Sequence, residues 1–297
     1  MKKIAVGIFF GFLAILSVQP VQAEEFKTLA IIDTAVDSSK ITEVVYEACF
    51  TDSKAMPCPN NSNFMEGKGA ANSPIWPSSM LNAIYHGHNV VMSALTTNPK
   101  LKIVFVRISD ISKSGGSINS PNSLISAIKW VSDNATKYSI DAVSISQSGV
   151  STNPNTKAKV LHPACADTTA INAVSQLNAI GVTIFAATGN DGLGNLVGFP
   201  ACINGVVGVG ALGSTAKVKT PQSYTQIIKS TNFGIGLDVV ARGEIDVVRY
   251  NGSIASFTAT SAATPIAAAT FLANNDTIFS SYLLKLNKVS GYPYITN

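Results

Sequence analysis

Five short, largely apolar runs punctuate the chain, at residues 29–32, 103–106, 142–145, 182–185 and 206–209. Runs of four rich in Ile and Val, without polar alternation, suit strands covered on both faces, as in a parallel sheet. Between several of them the period changes. Residues 123–134 carry Leu124, Ile125, Ile128, Trp130 and Val131 at turn-like spacings, and residues 169–180 carry Ile171, Val174, Leu177 and Ile180. Those spacings predict helices. Strands alternating with helices make βαβ units, so the expected fold is α/β: a doubly wound, mostly parallel central sheet with helices on both faces. Residues 51–80 are dominated by Pro, Asn, Ser and Gly and read as a long surface loop, while 110–121 and 149–157 are turn-rich. No internal repeat or linker divides the chain, which predicts one domain over residues 24–297.

The N-terminus stands apart. Lys2 and Lys3 precede an apolar run from Ile4 to Val18, followed by Gln19-Pro20-Val21-Gln22-Ala23. This is the pattern of a signal peptide cleaved after Ala23; the run falls short of the ~20 residues that span a bilayer. An exported protein, secreted or periplasmic, without stable membrane insertion after cleavage is expected. Cysteine usage agrees with that compartment. Cys49, Cys58, Cys165 and Cys202 form no C-x-x-C pair, so an even count in an oxidising space suggests two disulfides. Three connectivities are open, and pairing sequence neighbours gives Cys49–Cys58 and Cys165–Cys202.

Composition narrows the partners. Of 297 residues 46% are hydrophobic and only 13% charged, against roughly 25% charged in an average domain, so uncharged polar groups must cover the surface. The hydrophobic fraction excludes a disordered chain. A formal net charge of +4, evenly scattered and without a basic cluster, excludes a nucleic-acid partner. The run Gly208-Val209-Gly210-Ala211-Leu212-Gly213 matches a dinucleotide fingerprint, but the polar, proline-ended segment after it cannot start the helix that would hold a pyrophosphate. Close packing of strands is the better reading of these glycines.

Open α/β sheets bind ligands at the carboxyl ends of their strands, so polar residues there deserve scrutiny. Asp33 directly follows Ile31-Ile32. His86 and His88 flank Gly87 at the start of an apolar stretch that can begin a helix. The two histidines do not share a helix face, and the third, His162, leaves a histidine-only zinc site short of ligands. Asn190 ends Ala187-Thr188-Gly189-Asn190 after a strand. Ser261 lies among small residues before Ile266-Ala267-Ala268-Ala269, where a helix N-terminus would aim N–H groups at a reacting carbonyl oxygen. Taken singly, each has an ordinary explanation as a turn former or helix cap.

In order, Asp33, His86, Asn190 and Ser261 resemble the Asp…His…Asn…Ser series of the subtilisin-like serine peptidases, the subtilases. The motifs AIIDTAVD, HGHNVV, AATGN and TATSAATP carry the resemblance, and SISQSG at 144–149, FPACINGVVGVGAL and LDVVARG extend it over roughly residues 27–270. It implies a three-layer fold and an endopeptidase acting on protein or peptide substrates, as a monomer. Ser261 would be the nucleophile, His86 the base, Asp33 its orienting carboxylate and Asn190 the oxyanion donor. Ser146, Gln147, Ser148, Gly149, Ala187, Thr188 and Gly189 would contact substrate. No cofactor is required, and the structural calcium frequent in the family finds no clear Asp-rich loop.

Four departures accompany the likeness. The family's second histidine and its neighbour become His88-Asn89, Ala259 replaces a glycine, Ala262 a methionine, and Ser148 a glycine of the S1 strand. Few residues separate Ala23 from the first strand, so folding without a prosegment, or with help in trans, is expected. A catalytically weak relative that binds peptides or another protein is the alternative from a different class; an esterase is disfavoured because G-x-S-x-G is absent.

Overall fold

The structure, a computed structural model, describes residues 26–52, 57–73, 84–111, 117–274 and 278–296. The predicted signal sequence lies outside these. Each of the five apolar runs forms a strand: β1 (Lys27–Asp33), then, beyond β2 (Val44–Phe50) and β3 (Phe64–Glu66), β4 (Leu101–Arg107). After the short β5 (Ser109–Ile111) and β6 (Ser117–Asn119) come β7 (Ile140–Ile145), the small β8 (Ser151–Thr152) and β9 (Lys159–Val160), β10 (Thr183–Ala187) and β11 (Val206–Gly213). The chain continues through β12 (Gln226–Ile227), β13 (Val239–Arg242), β14 (Glu244–Val248) and β15 (Ile254–Thr258), and closes with β16 (Lys288–Val289) and β17 (Tyr292–Ile295).

The main sheet runs β16-β17-β13-β11-β10-β7-β1-β4-β2-β3, with β12 joined to β11. From β17 to β2 every neighbouring pair is parallel; β3, β12 and β16 are antiparallel additions at its margins. Among the described residues four long helices cover it, α1 (His86–Thr97), α2 (Pro121–Asn134), α3 (Thr168–Ala179) and α4 (Thr260–Ala273), followed by the short α5 (Phe279–Leu283). Leu124, Ile128, Val174 and Leu177 of α2 and α3 join one core cluster, and Val90, Ala94, Ile266 and Phe271 of α1 and α4 join another on the opposite face. Alternate residues of β1 feed the two cores, Ala30 and Ile32 one, Leu29 and Ile31 the other, which is why this strand is apolar throughout.

Several boundaries shift for identifiable reasons. Helix α2 starts at Pro121, whose fixed φ and missing N–H suit a first helical position. Helix α3 starts at Thr168, after Asp167 caps it by accepting from Ala170 N at 2.9 Å. The loop expected at 51–80 contains strand β3, paired with β2, and the turn-rich stretch at 110–121 contains the β5–β6 ribbon. A Cβ on Gly208 would lie 1.7 Å from Gly236 O, so this glycine admits the backbone of the turn before β13 rather than a neighbouring strand. Among the described residues no helix is long and apolar enough to cross a membrane.

The cysteines pair as sequence neighbours, Cys49–Cys58 and Cys165–Cys202, across separations of 9 and 37 residues. The longer loop constrains the unfolded chain more. Replacing Cys165 and Cys202 by Ala should therefore cost about 4 kcal/mol and replacing Cys49 and Cys58 about 3 kcal/mol, read by urea unfolding. Equal, negligible losses would contradict this.

Candidate active site

Strand β1 lies between β7 and β4, where the order of connections reverses: the chain first builds β2 and β4 on one side of β1, then β7, β10 and β11 on the other. Such a switch point opens a crevice at the carboxyl ends of the strands. In-register pairing of Ile32 with Ile145, and of Ile145 with Ala186, brings three strand ends into one row. Asp33, Ser146 and the segment leading to Asn190 emerge there.

Asp33 has no exposed surface. Its Oδ1 accepts from Thr34 N at 2.7 Å and contacts His86 Nδ1 at 2.7 Å. The first turn of α1 docks against the end of β1 to make this possible. Thr34 Oγ1 accepts from Gly87 N at 2.7 Å, and a Cβ on Gly87 would lie 2.6 Å from Phe105 and 2.9 Å from Thr34 O. Only a residue without a side chain lets the helix approach so closely. The His86 side chain remains 25% exposed and meets the Phe257 ring edge-on at 5.1 Å between centroids. Burial lowers the imidazole's proton affinity, but the charge of Asp33 and its hydrogen bond outweigh this and hold the pKa above the usual histidine value.

Ser261 occupies the second position of α4. Pro265 lies four residues on and has no N–H to give to the Ser261 carbonyl. Ser146 Oγ donates to that carbonyl instead, at 3.0 Å, and Ser261 Oγ donates to Ser146 O at 3.4 Å. The serine hydroxyl thus points at the end of β7 rather than at His86. Asn190 is tied to the same helix start: its Oδ1 accepts from Thr260 N at 3.2 Å and Thr260 Oγ1 at 2.8 Å. Among the described residues its amide N–H groups have no hydrogen-bond acceptor.

His86, Ser146, Gln147, Ser148, Ala187, Gly189, Asn190 and Ser261 line one cleft of about 350 Å³, together with Thr34, Asp191 and Thr260. Asp33 lies behind His86. Two expected contact residues fall outside the cleft. Thr188 is fully buried, and Gly149 spends both backbone groups on Phe199, donating at 3.1 Å and accepting at 2.8 Å. His88 is buried on α1 without lining the cleft, and burial lowers its pKa, with Lys40 adding to the effect and Asp37 opposing it. Thr260 and Phe257 escape the sequence reading; the adjacency of Thr260 to Ser261 was the one local hint. Among the described residues no three His, Cys, Asp or Glu side chains come together to hold a metal ion.

Ala259, which stands two residues before Ser261, has φ 70° and ψ −159°. This backbone region is essentially reserved for glycine, and a side chain there costs about 1–3 kcal/mol. Ala259→Gly should raise the stability by about 1 kcal/mol after the extra freedom of the unfolded chain is deducted. A lower thermal midpoint for the variant would show that Ala259 is unstrained.

Comparison with known proteins places the geometry in context. The chain matches the Subtilase family over residues 28–274. It is 43% identical over 95 residues to alkaline elastase YaB of Bacillus sp. (strain YaB), a stretch that makes up 31% of this chain and 22% of that protein. The alignment therefore spans less than a quarter of that relative's length. In fold it is similar to the nisin leader peptidase NisP from Lactococcus lactis, with TM-score 0.65 and 14% identity over 92% of this chain and 86% of that one. A cold adapted subtilisin-like serine proteinase gives TM-score 0.58 and 22% identity, over 91% and 89% of the two chains.

Proposed function

The chain belongs to the subtilase family of serine peptidases, and we propose that it is an exported endopeptidase that cleaves peptide bonds through Asp33, His86, Ser261 and Asn190. The observation that carries this reading is the 2.7 Å contact between His86 Nδ1 and the buried Asp33 carboxylate, with His86, Ser261 and Asn190 on one cleft. A neutral imidazole whose Nδ1–H is held by a carboxylate presents Nε2 as a proton acceptor. Ser261 Oγ turns from Ser146 O toward His86 as substrate enters, since catalytic hydrogen bonds are often unformed in the free enzyme.

Ser261 Oγ attacks the scissile carbonyl carbon while His86 takes the hydroxyl proton. The negative charge that grows on the carbonyl oxygen is met by the Asn190 amide and by N–H groups at the start of α4. Collapse of the tetrahedral intermediate breaks the C–N bond, and His86 delivers the proton to the leaving amine. Water then repeats the sequence on the acyl-enzyme. Residues 146–148, which continue beyond the last paired residue of β7, offer an edge along which an extended peptide adds as a strand. The two disulfides and the signal-like N-terminus support export.

The test is hydrolysis of casein by the mature chain. Ser261→Ala should abolish it, and Asn190→Ala should lower kcat by about 10²–10³ with KM within a few-fold. Absence of turnover by the wild type, with tight peptide binding retained, would favour the binding-module alternative.

The pH dependence follows from the site. Labelling of Ser261 by a sulfonyl fluoride needs neutral His86, so it should fall with decreasing pH at a midpoint above about 6.5. In Asp33→Asn only burial acts on the imidazole, so the residual labelling should have its midpoint below that value. A midpoint that does not move would separate Asp33 from the role given to it.

A further inference from the structure

An oxyanion donor accelerates a reaction only when its position is fixed before the charge develops, because a mobile amide must be ordered at the moment of reaction. Asn190 meets this requirement on one side through Thr260, but it sits on an exposed loop with its neighbours Asp191 and Gly192. What holds the loop lies on another segment.

Asn232, on the turn after β12, has no exposed surface. Its Oδ1 accepts from Asp191 N at 2.9 Å and from Leu193 N at 3.1 Å, and its Nδ2 donates to Asp191 Oδ2 at 3.2 Å. Its backbone N donates to Gly189 O at 2.9 Å. The four bonds land on residues 189, 191 and 193, on both sides of Asn190 and never on it. A carboxamide is the side chain that can both accept two N–H groups and donate to a carboxylate.

We propose that Asn232 is the positioning residue of the oxyanion site: it fixes the loop that carries Asn190 and so sets where the Asn190 amide points. This rests on the peptidase reading and adds to it a residue that touches neither substrate nor the reacting atoms. A residue that acts only through Asn190 loses its effect once the Asn190 amide is gone. An aspartate at 232 keeps the two acceptor bonds but faces the Asp191 carboxylate, and an asparagine at 191 restores the missing donor from the other side.

Steady-state hydrolysis of a peptide amide by the full mature chain tests this, with circular dichroism to establish that each variant is folded. Asn232→Ala should lower kcat by roughly 10–10²-fold with KM within about threefold, and should change kcat less than twofold when introduced into Asn190→Ala. Asn232→Asp should be impaired, and the addition of Asp191→Asn should recover most of the lost kcat, which keeps the test decisive if Asn232→Ala does not fold. An unchanged kcat, equal losses in both backgrounds, or a charge swap that recovers nothing would overturn the role of Asn232 while leaving the peptidase reading intact. A wild type that hydrolyses no peptide overturns the peptidase reading itself, and this one with it.

Discussion

The Asp33 carboxylate is out of reach of solvent at the end of a strand whose other residues feed two apolar cores. A charge placed there without partners would cost several kcal/mol, so the surroundings must bring hydrogen-bond donors to it. One comes from the next residue, Thr34 N; the other is His86 Nδ1, which arrives on a helix more than fifty residues later. The close approach of α1 to β1, the lack of a side chain at Gly87 and the Thr34 hydroxyl that receives Gly87 N all follow from that need. Both donors meet Oδ1, and the contact with His86 leaves the far side of the imidazole facing the cleft.

The start of α4 shows a comparable exchange between helix chemistry and the cleft. A proline inside a helix ordinarily leaves a carbonyl without its partner. Here that carbonyl belongs to Ser261, and the Ser146 hydroxyl takes over, so the helix is anchored to the end of β7 through the residue proposed to react. Asn190 anchors it a second time through Thr260. The region is held by bonds between elements as well as along them.

That distinction explains what the sequence discloses. Buried parallel strands must be apolar on both faces, so the runs at 29–32, 103–106 and 206–209 announce themselves. Helices α2 and α3 are legible because one side of each faces the core. Strand β3 is not, since it lies at the sheet margin and only its pairing with β2 defines it. Asp33, His86, Asn190 and Ser261 are legible through family motifs, whereas nothing local to Asn232 signals that its amide closes on residues some forty positions earlier. The backbone of Ala259 is equally silent: an alanine gives no hint that it occupies a glycine's conformation. The pairing of Gly149 with Phe199 is likewise not legible locally, because its partner lies fifty residues further along the chain.

The four proposed reacting groups leave the sheet from β1, α1, the end of β10 and α4, and the last of them enters only at position 261 of 297. A chain made from its N-terminus carries Asp33 and His86 long before it carries Ser261. The cleft is therefore completed only when α4 docks on the Ser146 hydroxyl and Asn190, so the site proposed to react and the packing of the last long helix are assembled in one step.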